Sequence, residues 1–301
     1  MISLKDSKTA IPIVLIAGLF WSFGPFVVRN INDAHAVPWQ YLFTRGLVIF
    51  LLLNVYLFFE EGLNFYKNYL KIGASGLIGS IGLGMAMTTF IWSITNTSAA
   101  VTLLCLAAMP FITALLGFLF LREVISINVW ISIIIAAIGI LIMAIDNTVA
   151  GSIYGFIFGI LSAIGFATFS VSLRWKKETP KFTTVALAGL FCCIFSSIWI
   201  VIQDQSFLSS SKNEALFAIH GTIVCIGLIL YSMGSKYIPA AELTLLSLTE
   251  IVGGIFWVWL PILGINEIPT TNTIIGGFFI FISIVYYSLL IQNNKRFISL
   301  N

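Results

Sequence analysis

Pro239 to Pro261 reads PAAELTLLSLTEIVGGIFWVWLP, an almost wholly apolar run of the length a helix needs to cross a bilayer. Glu250 stands near its middle. A carboxylate at bilayer depth costs about 3 kcal/mol on insertion scales, and lipid offers nothing to offset it. The side chain is therefore expected to face protein or a water-filled cavity. Helical spacing puts Ser247, Gly254 and Trp257 on the same face. Together they offer a charge, a hydroxyl, a gap and an aromatic wall, which suits a small ligand. The plainer alternative is a hydrogen-bonded glutamate that only ties helices together.

The rest of the chain is built in the same way. Of its 301 residues 59% are hydrophobic and 9% charged, with a mean hydropathy of +1.05. Soluble domains carry about 25% charged residues. No polar stretch is long enough to form a soluble domain, so an all-α polytopic membrane protein is expected. No basic cluster is interleaved with aromatics outside the apolar runs, which argues against a nucleic-acid partner. Cys105, Cys192, Cys193 and Cys225 lie inside apolar runs at spacings unlike a metal site or a disulfide framework, and read as small core residues. No phosphate-cradling loop or other cofactor motif is present, so no ATP engine, cofactor or metal is expected.

Ten segments meet the length a bilayer demands, at about 10–29, 39–59, 70–92, 98–120, 127–145, 152–173, 182–202, 215–235, 240–262 and 271–291. The first follows Lys5 and Lys8. It is too long for a signal-peptide core and lacks a small-x-small cleavage site, so it reads as an uncleaved span. Ten spans put both termini on one side. That side collects Lys5, Lys8, Lys67, Lys71, Arg122, Arg174, Lys176, Lys177, Lys181, Lys236, Lys295 and Arg296, against Arg29 and Lys212 on the other. The asymmetry places both termini in the cytoplasm. The basic loop after span six is a topology signal that also meets membrane lipids.

Other residues in the spans are candidates. Trp21 and Pro25 share a face of span one, where the proline removes a backbone bond and acts as a hinge or only a packing kink. Arg45 in span two either binds a substrate carboxylate, snorkels outward or pairs with Asp33. Span three carries Gly76, Gly79, Gly82 and Gly84 for close helix approach, and aligns Met85, Thr89, Trp92 and Asn96 as a cavity face or a packing stripe. Span six holds Gly155 and Gly159, a weak contact signal, and span seven looks featureless. Span eight aligns His220, Val224, Gly227 and Tyr231; His220 is a proton relay, a ligand, or hydrogen-bonded packing. Span ten reads as scaffold and as the contact of an expected homodimer.

The two halves echo each other. Ser98–Glu123 aligns with Pro239–Gly264 and the Glu267 that follows, so that Ala99-Ala100 matches Ala240-Ala241 and Met109-Pro110 matches Glu250-Ile251. Residues 1–147 and 148–301 then form two five-span repeats. An odd number of spans inverts the second against the first, with a site near the midplane between them. Pro110 takes a place suited to a hinge, and Glu123 and Glu267, at repeat-equivalent ends on opposite sides of the membrane, read as helix-end packing or as gate residues.

With Trp21, Arg45, Pro110, Gly117 and Glu123 in these places, the chain resembles the EamA-type branch of the drug/metabolite transporter superfamily over nearly its whole length. That family often has Glu-Pro midway through span nine. Glu250 matches the acid, and Ile251 departs from the proline, which implies a less broken ninth helix. The resemblance implies a bacterial inner-membrane carrier of small metabolites, often amino acids or related compounds.

The expected function is alternating access around a site lined by spans one, three, four, six, eight and nine, coupled to protons or working by exchange. Glu250 would hold a substrate amine or exchange a proton, with His220 as a second proton-coupling candidate. Trp21, Trp92, Tyr231 and Trp257 would supply aromatic walls, with Asn96, Ser247 and Arg45 completing recognition of the small-molecule substrate. Two alternatives stand: transport of a larger aromatic or cationic solute such as a vitamin or nucleoside derivative, and a non-transporting receptor or assembly subunit. An enzyme is not expected, because His220 and Glu250 are the sole candidate acid/base pair.

Overall fold

The computed structural model describes residues 7–97, 99–144, 153–176, 178–265 and 268–298. Its regular structure there is entirely helical. Backbone polar groups in hydrocarbon must be satisfied within the chain, and helices do this segment by segment. Among the described residues nine helices or helix pairs are long and apolar enough to cross a membrane, and the shorter apolar helix Ile127–Ile142 stands in the place of the fifth expected span. Lys5, Lys177, the boundary between residues 147 and 148, and Glu267 lie outside the described residues.

Three spans are interrupted. The first comprises α1 (Ser7–Trp21) and α2 (Phe23–Arg29), broken at Ser22. Span two is α3 (Pro38–Glu61), followed by a short turn and α4 (Lys67–Leu70); span three is α5 (Gly73–Asn96). The fourth comprises α6 (Ala99–Leu106) and α7 (Met109–Leu116), which ends in a π-helical turn at Gly117–Leu121. Then come α8 (Ile127–Ala144), α9 (Ile153–Trp175), α10 (Lys181–Ile202) and α11 (Ser211–Gly234). The ninth span is α12 (Ala240–Ser247) and α13 (Thr249–Trp259), and α14 (Thr271–Ile298) is the tenth.

The breaks have local causes. Pro25 and Pro110 carry no N–H, so the carbonyls of Trp21 and Leu106 lose their i+4 donors. The ninth span breaks at Leu248 without a proline, which corrects the expectation of a less broken helix there. Hydroxyls do the work instead. Ser247 Oγ donates to Thr244 O at 2.8 Å and Thr249 Oγ1 to Leu246 O at 3.1 Å. Such back-bonding competes for carbonyls and bends helices. The backbone tightens to i−3 bonds, Leu248 N to Leu245 O at 3.2 Å and Ile251 N to Leu248 O at 3.0 Å. Ser247, expected to share a face with Glu250, is fully buried with its hydroxyl on Thr244 O.

The helices pair across the two halves. α5 packs on α9, α1 on α11, α3 on α10 and α8 on α14. Small residues set the separations. A β-carbon at Gly165 would stand 2.5 Å from Gly82 O, and one at Gly46 2.6 Å from Gly189 O. At Gly139 it would stand 2.5 Å from Gly276 O. Backbones touch at these three crossings, as small residues permit in membrane helices. Span seven is thus not featureless: Gly189 is its contact point.

The chain ends of the spans gather in two groups. Glu123, Arg174, Lys181 and Ser235 bond to one another at the end rich in basic residues. At the other end Asn213 bonds Asn32, Gln40 bonds Ser206, and Arg29 donates to the carbonyls of Ile94 and Thr97.

The glycine crossings yield a direct test. Gly165→Val should lower stability by about 1–3 kcal/mol through overpacking, read as a lower midpoint in thermal unfolding in detergent. Gly277→Val, with nothing within 4 Å of the added carbon, should leave the midpoint unchanged.

Candidate functional site

The three helix breaks meet at mid-depth. Trp257 Nε1 donates to Ser22 Oγ at 2.8 Å, and its ring stacks on Phe23 at 4.5 Å. Gly253 and Gly254 let α13 press on the first break: β-carbons there would stand 2.6 Å from Ser22 Cβ and 3.2 Å from Pro25 Cγ. Thr249 Oγ1 also reaches Leu15 O at 3.4 Å. Ser22, Ala107-Ala108 and Leu248 thus frame one region in which the helices are interrupted.

A cavity of about 70 Å³ lies there. Glu250 enters it from α13, Arg45 from α3, His220 from α11 and Trp21 from α1. Phe90 and Phe166, on α5 and α9, add aromatic wall, and Met109 at the start of α7 lines it too. All six expected spans contribute, and span two joins them through Arg45. At this size the cavity holds a few waters; pockets for drug-sized ligands run to about 300 Å³ or more. A bulky solute would need it to widen.

The two charges are the main feature. Arg45 is 2% exposed, so it neither snorkels outward nor pairs with Asp33. Burial inside the bundle, well below the end of α3, keeps it from both. Its Nη2 donates to Met87 O at 2.7 Å, its guanidinium lies 5.6 Å from the Tyr41 ring centroid, and its Nε is buried without a partner. Glu250 has no hydrogen bond or ion pair among the described residues, so the reading of a carboxylate that merely bonds helices together has no partner to support it.

The aromatic wall is built around Trp21. Its Nε1 donates to Val224 O at 3.3 Å, Phe166 meets it edge-on at 5.4 Å, and Tyr231 lies behind it at 5.3 Å. Tyr231 is fully buried and bonds Ser170 at 2.7 Å, so it buttresses Trp21 rather than lining the cavity. Trp92 and Asn96 lie elsewhere. Trp92 packs with Trp39 at 5.0 Å, and Asn96 Nδ2 donates to Trp92 O at 2.8 Å. Trp257 pins the breaks together, and Ser247 is turned into its own helix.

Of the gate candidates, Pro25 and Pro110 sit beside the breaks. Glu123 accepts from Arg174 Nε at 2.6 Å and from Ala240 N at 3.2 Å, while Arg174 Nη1 donates to Ser235 O and Ile238 O. This cluster ties the end of span four to α9 and to the start of α12. Sequence reading missed Arg174, Tyr41, Phe90 and Phe166 as members. Arg174 carried a signal, since it lies at a span end like Glu123; the others do not stand out among 26 Phe and 9 Tyr.

A model of the EamA-like transporter family matches residues 8–145 and again 153–289. The chain belongs to the EamA-like transporter family. The double match confirms the two-repeat organisation of an integral membrane protein. One solved crystal structure shares the fold, with a TM-score of 0.73 at 16% identity, covering 95% of this chain and 99% of that one. No curated protein matches the sequence.

The seat of Trp21 can be tested. A β-carbon at Gly227 would stand 2.2 Å from Trp21 Nε1. Gly227→Ala should cost about 1–3 kcal/mol, and Trp21→Leu in the same chain should recover most of it. A double-mutant cycle by thermal unfolding measures that coupling.

Proposed function

We propose that this EamA-like transporter is a secondary carrier for a small zwitterion of the amino-acid class, working by alternating access in a bacterial inner membrane. One observation carries the reading: a buried guanidinium and a carboxylate face the same cavity, and neither has an ionic partner among the described residues. Each such ion costs several kcal/mol to bury. A scaffold would replace both with apolar side chains. A zwitterion pairs with both at once, its carboxylate toward Arg45 and its ammonium toward Glu250, within reach of Trp21 for cation–π contact.

Five crossing helices per repeat support an inverted second half, and the cross-half pairing of α3 with α10 and α8 with α14 fits that arrangement. The basic end would face the cytoplasm, with both termini. The Glu123–Arg174 cluster would then be the cytoplasmic latch, made and broken as the halves rock. Glu250 would carry either a proton taken from water or the substrate ammonium, never both, which couples transport to protons or allows exchange.

A thermal-shift screen with amino acids, amines, nucleosides and vitamins at two pH values tests the substrate class, since ligand bound to the folded state raises its stability. Amino acids should give the largest shifts. Shifts by nucleosides or vitamins alone would favour the larger solute. Binding without flux in proteoliposomes would favour a receptor. Glu250→Gln should abolish the pH dependence of uptake while membrane abundance holds. Unchanged pH-dependent uptake in that variant would remove the glutamate from the mechanism.

A further inference from the structure

Tyr41 sits between two of the cavity's polar groups. Its hydroxyl hydrogen-bonds His220 Nδ1, its ring lies 5.6 Å from the Arg45 guanidinium, and it stacks on Phe217 at 4.7 Å. Tyr41 is 1% exposed and His220 2%. The proton inventory of this pair is constrained. A buried phenol must place its own O–H on an acceptor. Among the described residues His220 Nδ1 is the one acceptor Tyr41 meets. The phenol therefore donates, Nδ1 accepts, and the ring proton resides on Nε2.

Among the described residues the far edge of that ring has no hydrogen-bond partner. Nε2 lies 3.1 Å from where a β-carbon on Gly24 would stand, so the start of α2 supplies a glycine against which this edge can rest. His220 and Arg45 line the same cavity. Arg45 there retains an unpartnered Nε.

We infer that Arg45 and the His220 Nε2–H form one carboxylate subsite, and that Tyr41 is its positioning residue, fixing the imidazole tautomer and seating the guanidinium. This rests on the zwitterion reading above and assigns its acidic end. His220 then acts as a neutral hydrogen-bond donor, and the proton traffic belongs to Glu250. The chemistry recognised is a carboxylate approached by one cation and one neutral N–H, with Glu250 left for the ammonium end.

Two measurements on the full chain in lipid nanodiscs test this. The first is independent of substrate. His35 is the other histidine of the two, so His35→Gln leaves one imidazole for nitrogen-15 NMR. The wild-type Tyr41 background should show a protonated Nε2 and a bare Nδ1, and Tyr41→Phe should mix the tautomers. A proton on Nδ1, or a spectrum indifferent to Tyr41→Phe, overturns the positioning role.

The second compares leucine, isopentylamine and 4-methylpentanoate, which share a side chain and differ in their charged ends. Tyr41→Phe and His220→Phe should weaken leucine by about tenfold or more, the scale of one hydrogen bond to a charged group. Isopentylamine, lacking the carboxylate, should be unaffected within about twofold. His220→Gln, which keeps an N–H near Nε2, should recover most of the leucine affinity. Equal losses for leucine and isopentylamine would make the pair merely structural and overturn the subsite. Failure of the unsubstituted protein to bind leucine, while 4-methylpentanoate or isopentylamine binds or none does, would instead overturn the zwitterion reading on which it rests.

Discussion

Hydrocarbon accepts no hydrogen bonds from a protein backbone, so every break in a membrane helix must find its partners inside the bundle. Three breaks in this chain lie around one cavity. Pro25 and Pro110 free carbonyls at Trp21 and Leu106, and serine and threonine hydroxyls take over carbonyls around Leu248. Ser22, at the first break, accepts from Trp257 beyond the third. The interruptions are mutually supporting, and the space between them is the cavity. The rest of the architecture serves that concentration. The uninterrupted pairs α3–α10 and α8–α14 touch backbone to backbone at glycines and form a tight frame around a looser centre.

Charge follows the same rule at a higher stake. Arg174 and Glu123 lie near the membrane boundary and satisfy one another, together with the carbonyls and amide that end α11 and begin α12. Arg45 and Glu250 lie deeper and do not. An exposed ion pair is worth about a kcal/mol or less, whereas an unpaired buried ion costs several. The peripheral pair is affordable as structure alone. The central charges are explicable as structure only if something else completes them.

The sequence made the large features legible because their causes are local. Span length, the lopsided lysines and arginines, and the acid in Pro239–Pro261 are read directly from composition along the chain. The match of Ala99-Ala100 to Ala240-Ala241 aligned the two halves, yet without a proline in the ninth span the break at Leu248, the counterpart of Ala107, was not expected. The failures were those of long-range geometry. Helical spacing placed Ser247 beside Glu250 as a ligand group, but its hydroxyl is spent on Thr244 O and it does not line the cavity. Trp92, with spacing as good as that of Trp21, packs on Trp39 and does not line the cavity, because the seating of α5, with Gly82 against Gly165, turns Phe90 and Met87 inward instead. No periodicity carries the contact of Tyr41 with His220, which joins residues 179 apart.

The repeat also explains why the site is one-sided. Met109 and Glu250 occupy matching positions, within two residues after the break in each half, and both line the cavity. One copy presents a thioether and the other a carboxylate. The mutual crossing of Gly46 and Gly189 likewise makes Arg45 the counterpart of Ala188, a residue buried without a polar atom in its side chain. A strictly symmetric pair of repeats would place two acids and two arginines at the centre and would have to bury four charges. Divergence at these positions leaves one charge of each sign, contributed by different repeats, so the polarity of the cavity runs from one half of the molecule to the other. A solute bridging the two charges would hold the halves to each other, and rocking of one half against the other would change its coordination at both ends together.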